Sequence, residues 1–139
     1  MRKFNLVVVG ATGAVGKVFL RILTERGFPF SQLRLCASPN SVGNRLLVGD
    51  NEILVEATTP SVFDGADFAF ISVSGEISLQ LVPLASKAGA FVIDDSAAFR
   101  LDPDVPLVVP EINGADLERH NGIAAIPNCS TTQMVMALY

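Results

Sequence analysis

Histidine and cysteine are nearly missing from this sequence of 139 residues: one His, and two Cys at positions 36 and 129. That is too few for a disulfide framework and does not form a zinc-ligand pattern, so no metal site is expected. A reducing cytoplasm is the expected compartment. No apolar run approaches the ~18 residues of a membrane-spanning helix, so no membrane partner is expected. The opening MRKFNLVVVG pairs two basic residues with an apolar run, as a secretory leader does. The run is too short, however, and passes into glycine-rich sequence without a cleavage-type site. Charge is also scarce, at 17% of residues against about 25% in typical domains. The ten basic residues are scattered and the net charge is −4, so nothing supports a nucleic-acid partner. Repeats and low-complexity tracts are absent.

Half of the residues are hydrophobic, which excludes disorder and suits strands buried on both faces. Short apolar runs alternate with helix-like segments. FNLVVV (4–9), LRLCA (33–37), ADFAFISV (66–73), AFVIDDS (90–96) and IAAIP (123–127) are strand-like. LLVG (46–49) and ILVEA (53–57) form a hairpin or edge pair. Val15, Val18, Phe19, Ile22 and Leu23 have helical spacing, and Gly27 and Pro29 end that helix. EISLQLVPLASKAG (76–89) is helical, with Pro83 expected to kink it or mark a boundary. DPDVPLVVPEIN (102–113) holds three prolines and is expected to be an extended excursion. ADLERHNG reads as a short helix, and STTQMVMALY begins another. This alternation predicts an α/β fold of Rossmann type: a doubly wound, mostly parallel sheet with helices on both faces. The last helix has no stop signal, and its apolar residues Met134, Val135, Ala137 and Leu138 lack an evident packing partner. The expectation is therefore one domain, residues 1–139, cut from a longer polypeptide.

VVVGATGAVGKV follows the first strand and opens the first helix, with glycines at 10, 13 and 16. Gly10 permits a sharp turn off the strand, Gly13 lets backbone approach a pyrophosphate, and Gly16 lets the helix pack closely. The free N–H groups and positive dipole end of that helix suit phosphate. An NAD site usually has an acid at the end of the second strand. Here that strand runs into CASPNSVGNR, where Ser38, Asn40 and Ser41 offer neutral hydrogen bonds and Arg45 a nearby charge. NADP is the expected cofactor.

Ligands of open α/β sheets bind beyond the carboxyl ends of the strands. The loops GATGAVG, SVSGEIS and PNCSTT, and the one carrying Arg100, should converge there. Cys129 would then stand near the nicotinamide at a helix start, a position that favours a nucleophilic thiolate. Its neighbours Asn128, Ser130 and Thr131 are polar, whereas Cys36 lies between Leu35 and Ala37 and reads as core. A thiolate beside nicotinamide points to acyl transfer through a thioester, which needs an acid–base group. His120 precedes the last strand, at the wrong edge of the sheet, so that group is expected outside this chain.

VVGATGAVG, IDDSAAFRLDPDVPLVVPEIN and IPNCSTTQM together resemble the aspartate-semialdehyde dehydrogenases, in order and spacing over nearly the whole chain. The resemblance implies NADPH-dependent reductive dephosphorylation of L-4-aspartyl phosphate to L-aspartate 4-semialdehyde, a step toward lysine, threonine, methionine and isoleucine. It implies that Cys129 forms the acyl-thioester and that Asn128 and Arg100 hold the substrate phosphate. It also implies that Thr12, Gly13, Ala14 and Val15 form the pyrophosphate loop and Pro39–Ser41 the 2′-phosphate loop. Ser72 to Gly75 would then follow the nicotinamide half. Three departures stand out: Asn40-Ser41 where Arg-Ser is common, IDDSAAF in place of IDNSSAF, and SVSG in place of a Gly-Gly turn. The second of these puts the Asp95 carboxyl near the cofactor. The family's second domain, which supplies the acid–base histidine and the dimer interface, is expected to lie outside these residues. The whole protein is expected as a homodimer or tetramer, and the 139-residue piece is expected to bind cofactor without turnover. Rival readings are an N-acetyl-glutamyl-phosphate reductase-like enzyme and a non-catalytic dinucleotide-binding paralogue. The AFRLDPDVPLVVPEIN block argues against the first, and the presence of both Cys129 and Arg100 against the second.

Overall fold

The computed structural model describes residues 2–139. Apolar runs become strands β1 (Phe4–Val9), β2 (Phe30–Ala37), β3 (Arg45–Val48), β4 (Asn51–Ala57), β5 (Phe68–Ile71), β6 (Phe91–Asp94) and β7 (Ile123–Ala125). They form one sheet in the order β3-β4-β2-β1-β5-β6-β7. Every pairing is parallel except the β3–β4 hairpin. From β1 the chain builds outward first through β2 and then, on the other side, through β5. The order therefore reverses at β1/β5, where an open sheet forms its ligand crevice.

The helices are α1 (Ala14–Glu25), α2 (Gly75–Lys87), the short α3 (Pro110–Asn113) and α4 (Cys129–Leu138). Alternate strand residues point to opposite faces, so β1 feeds two cores. Val8, with Leu35 and Phe70, packs beneath Leu20 of α1. Phe19 of α1 stacks on Phe70, ring centroids 4.1 Å apart. Val7 and Val9, with Ile71 and Val92, pack beneath Val82 and Ala85 of α2. A doubly covered parallel sheet explains the scarcity of charge. Among the described residues no helix is long and apolar enough to cross a membrane.

Two local expectations fail. α2 runs unbroken through Pro83. Pro83 faces solvent, so the Leu79 carbonyl that it leaves without a helical donor lies on the wet side of the helix, where water can satisfy it. The 102–113 segment is not extended throughout: Leu107 makes a parallel bridge to Ala125, and Pro110 then opens the helical turn of α3. Proline suits a first helical position because its fixed φ is pre-set for the turn. The Asn113 side chain secures it, accepting from Val109 N–H at 2.8 Å and donating to the Leu107 carbonyl at 2.9 Å. The expected short helix after it is a 3-10 segment, Gly114–Arg119.

Candidate active site

The glycine turn is built from main chain against main chain. Gly10 leaves β1 at φ 84°, and its N–H, with that of Ala11, donates to the Cys36 carbonyl at 2.9 and 3.1 Å. A Cβ on Gly10 would stand 2.1 Å from the Ser72 carbonyl oxygen, and one on Gly16 would stand 2.3 Å from the Gly10 carbonyl oxygen. The turn, the start of α1 and the end of β5 can close only around these two hydrogens. Gly13 differs: its φ is ordinary at −71°, and a Cβ there would come within 3.2 Å of one atom only. It caps α1 without any side-chain hydrogen bond, and no acid occupies the first turn. Gly13, Ala14 and Val15 are exposed. The first-turn N–H groups thus face open space that a Cβ at Gly13 would begin to fill, which fits a pyrophosphate.

On the β2–β4 side of this turn lies a cleft of about 350 Å³, lined by Gly10, Ser38, Pro39, Thr58, Ile77, Gln80 and Leu81 among others. Ser38 was expected here. Asn40 and Ser41 follow in a 3-10 turn, Pro39–Ser41, and Thr12 Oγ1 donates to Ser41 Oγ at 3.3 Å. Arg45 lies 3.7 Å from Glu52 across the β3–β4 hairpin, in an exposed pair. Thr58, Ile77, Gln80 and Leu81 escaped sequence reasoning. Their signal was Ile77, Gln80 and Leu81 at i, i+3 and i+4 on α2, with an apolar residue left at a surface.

On the β5–β7 side the remaining expected residues come together. Ser72 follows β5 and donates from Oγ to Asp95 Oδ2 at 2.9 Å. Gly75 opens α2 opposite Ala98, 3.9 Å from where a Cβ would be. Arg100 is half-buried and donates from Nε to the Ile126 carbonyl and from Nη2 to the Asp95 carbonyl. Its Nη1 has no protein acceptor among the described residues. Beneath them Asp94 is fully buried. Its Oδ1 accepts from Ser78 Oγ at 2.8 Å and its Oδ2 from Ser96 Oγ at 2.7 Å. One carboxylate thus ties α2 to the loop that carries Arg100, a link that sequence alone does not reveal.

Cys129 is the first residue of α4 and is exposed, while Cys36 is buried. Asn128 caps α4: its Oδ1 accepts from Ser130 N–H at 3.1 Å and Ser130 Oγ at 2.7 Å. Cys129 Sγ lies 3.8 Å from the same oxygen. With Oδ1 so engaged, any anion contact by Asn128 falls to its amide NH2. An accessible thiol at a capped helix start, one residue from an amide and preceded by a loop that a guanidinium holds at the Ile126 carbonyl, has the makings of a nucleophile. His120 stays apart. Its ring packs edge-on to Phe91, which opens β6 at the opposite edge of the sheet, centroids 4.8 Å apart.

Residues 5–120 match the protein family described as semialdehyde dehydrogenase, NAD binding domain. Aspartate-semialdehyde dehydrogenase of Bacillus subtilis is 48% identical over 137 residues, which are 99% of this chain and 40% of that protein. The structure of aspartate semialdehyde dehydrogenase II from Vibrio cholerae superposes with a TM-score of 0.92 at 40% identity, over 99% of this chain and 42% of that one. The enzyme from Candida albicans, solved with NADP, gives 0.81 at 26% identity, over 97% and 45%. The chain therefore spans about two-fifths of the length of these relatives. The family match takes in most of the chain, and relatives 40% or more identical align over nearly all of it, so the chain belongs to the semialdehyde dehydrogenase family through its NAD-binding domain.

Proposed function

We propose that this chain serves the reaction of the aspartate-semialdehyde dehydrogenases, with NADPH as reductant and L-4-aspartyl phosphate as substrate. The observation that carries the reading is the meeting of Arg100 with the loop leading to Cys129, through the Ile126 carbonyl at 2.9 Å, on the edge that holds the Gly10 turn. Bound NADPH would supply the hydride. The α1 start at Gly13–Val15 would hold its pyrophosphate, Ser38, Asn40 and Ser41 its ribose 2′-phosphate, and Ser72 to Gly75 would flank its nicotinamide half. The neutral end of β2 and the NADP-bound Candida albicans relative support NADP over NAD.

The Cys129 thiolate would attack the acyl carbon, forming a C–S bond as the C–O bond to phosphate breaks. Arg100 and the Asn128 amide would hold the departing phosphate, a planar guanidinium being well shaped for it. After hydride delivery to the thioester carbon, the C–S bond would break to release the aldehyde and restore the thiolate. A group outside residues 1–139 would take the proton from the Cys129 thiol before the attack and pass it to the departing phosphate, because His120 sits at the other edge. Residues 1–139 would thus act as the cofactor-binding part of a cytoplasmic homodimer or tetramer, binding dinucleotide without turnover by themselves.

Calorimetric titration with NADPH and NADH tests the cofactor. Tighter binding of NADPH, lost in Gly13→Ala, supports the reading, and equal or absent binding overturns it. Steady-state aspartyl-phosphate reduction by this chain alone, above a Cys129→Ala control, would overturn the assignment of the acid–base group to another part of the protein.

A further inference from the structure

The cleft beside Gly10 sets the direction in which a dinucleotide crosses the switch point. Its largely apolar slot between Pro39, Ile77 and Leu81, with Gln80 and Thr58 as polar groups, suits a flat adenine. With the pyrophosphate at Gly13, the nicotinamide half must then run the other way, over the carboxyl ends of β5 and β6. Ser72 and Asp95 stand there, both half-buried and joined by the 2.9 Å hydrogen bond from Ser72 Oγ to Asp95 Oδ2. The main chain of Asp95 is fixed as well: its N–H donates to the Ile71 carbonyl at 2.9 Å, and its carbonyl accepts from Arg100 Nη2 at 3.1 Å. Arg100 therefore grips the backbone of Asp95 rather than its carboxylate. Among the described residues the ion pairs are Arg2–Asp67, Arg21–Glu25, Arg45–Glu52 and Arg119–Asp116, and none includes Asp95.

A held carboxylate without an ion-pair partner adds a negative charge at this end of the crevice, on the side chain of the residue whose carbonyl the Arg100 guanidinium binds. Oxidised nicotinamide carries a positive charge on its ring and reduced nicotinamide carries none. We infer that Asp95, fixed by Ser72, biases the site toward the oxidised cofactor and so determines how strongly the two redox forms compete for it. The inference rests on the dinucleotide reading above and deepens it. It also gives Ser72 a defined polarity: its proton is committed to Asp95, so its oxygen faces the ligand as an acceptor, matching the amide NH2 of a nicotinamide.

The test compares dissociation constants of NADP+ and NADPH, by calorimetry and by NADPH emission, in a chain with no tryptophan to interfere. Asp95→Asn keeps the shape and can still accept from Ser72, so it changes only the charge. The expected result is a fall of about tenfold in the preference for NADP+ over NADPH, the scale of one charge acting at several ångströms in a partly wet site. Asp95→Ala must shift the ratio the same way, which covers failure of the first variant to fold. Asp64→Asn makes the same charge change before β5, at the far edge, and must leave the ratio unchanged. An unaltered ratio in both Asp95 variants, with binding intact, overturns this inference alone. Absence of binding of either form to the unmodified chain overturns the dinucleotide reading and this inference with it.

Discussion

Arg100 reaches across 26 residues of sequence to the carbonyl of Ile126 and makes its Nε hydrogen bond at 2.9 Å. Through Nη2 it also holds the Asp95 carbonyl at 3.1 Å. One planar side chain thereby fastens the end of β6 to the loop that delivers the thiol. A lysine has the charge but not the fork, and cannot hold both carbonyls in this geometry. Arg100→Lys should speed amide exchange in residues 126–131 by about tenfold, the scale of one lost hydrogen bond to a charged group. Hydrogen-exchange mass spectrometry of that peptide, with residues 4–9 of β1 as an internal standard, checks it.

The three glycines should separate fold from ligand. Gly10→Ala forces an alanine to φ 84° and a Cβ into the Ser72 carbonyl, and should lower stability by about 2–4 kcal/mol. Gly16→Ala should behave similarly. Gly13→Ala should change stability by less than about 1 kcal/mol while abolishing dinucleotide binding. Urea unfolding beside calorimetry on the same samples makes the comparison.

Asp94 is fully buried and serves two hydroxyls, Ser78 and Ser96. Asp94→Ala leaves both without an acceptor inside the protein, so the loss should be about 2–4 kcal/mol. Replacing all three residues by alanine should recover part of it, because no buried hydroxyl then remains unpaired. A larger loss in the triple variant than in Asp94→Ala would contradict this account.

Burial pushes the Cys36 thiol up from 9.0 to about 12, with Glu56 adding to the shift and Arg34 opposing it. The folded chain thus keeps a proton that the unfolded chain releases above pH 9. The associated stability is complete below pH 9 and is lost as pH rises from 9 to about 12, with a slope of at most about 1.4 kcal/mol per unit. Cys36→Ala should flatten that decline, as read by denaturant titration at several pH values. In the native chain iodoacetamide should modify Cys129 alone, and Cys36 only after unfolding.

The doubly covered sheet was legible because the short apolar runs of β1 and β5 are local patterns, and the glycine turn because Gly10 and Gly16 answer to short-range sterics. Cys129 and Arg100 were legible because each follows a strand, and strand ends share an edge. The links between elements were not legible. Ser78 looks like any helix serine until Asp94 is seen 16 residues away beneath it, and nothing local in the sequence pairs Arg45 with Glu52. Pro83 misled because its effect depends on which way it faces, and Pro110 because the same ring that forbids a helix interior favours a first turn. The cleft beside Gly10 draws on β1, β2, β4 and α2, so no single stretch of sequence announces it.

α4 buries none of its ten residues, and Met134, Leu138 and Tyr139 stand largely in solvent. The helix is anchored at one end, by the Asn128 cap and the loop gripped by Arg100. Over about 15 Å of helix beyond the cap, a tilt of about 10° about that anchor would swing the far end by more than 2 Å and leave the first residue nearly still. Cys129 is that first residue, so the sulfur sits at the fulcrum.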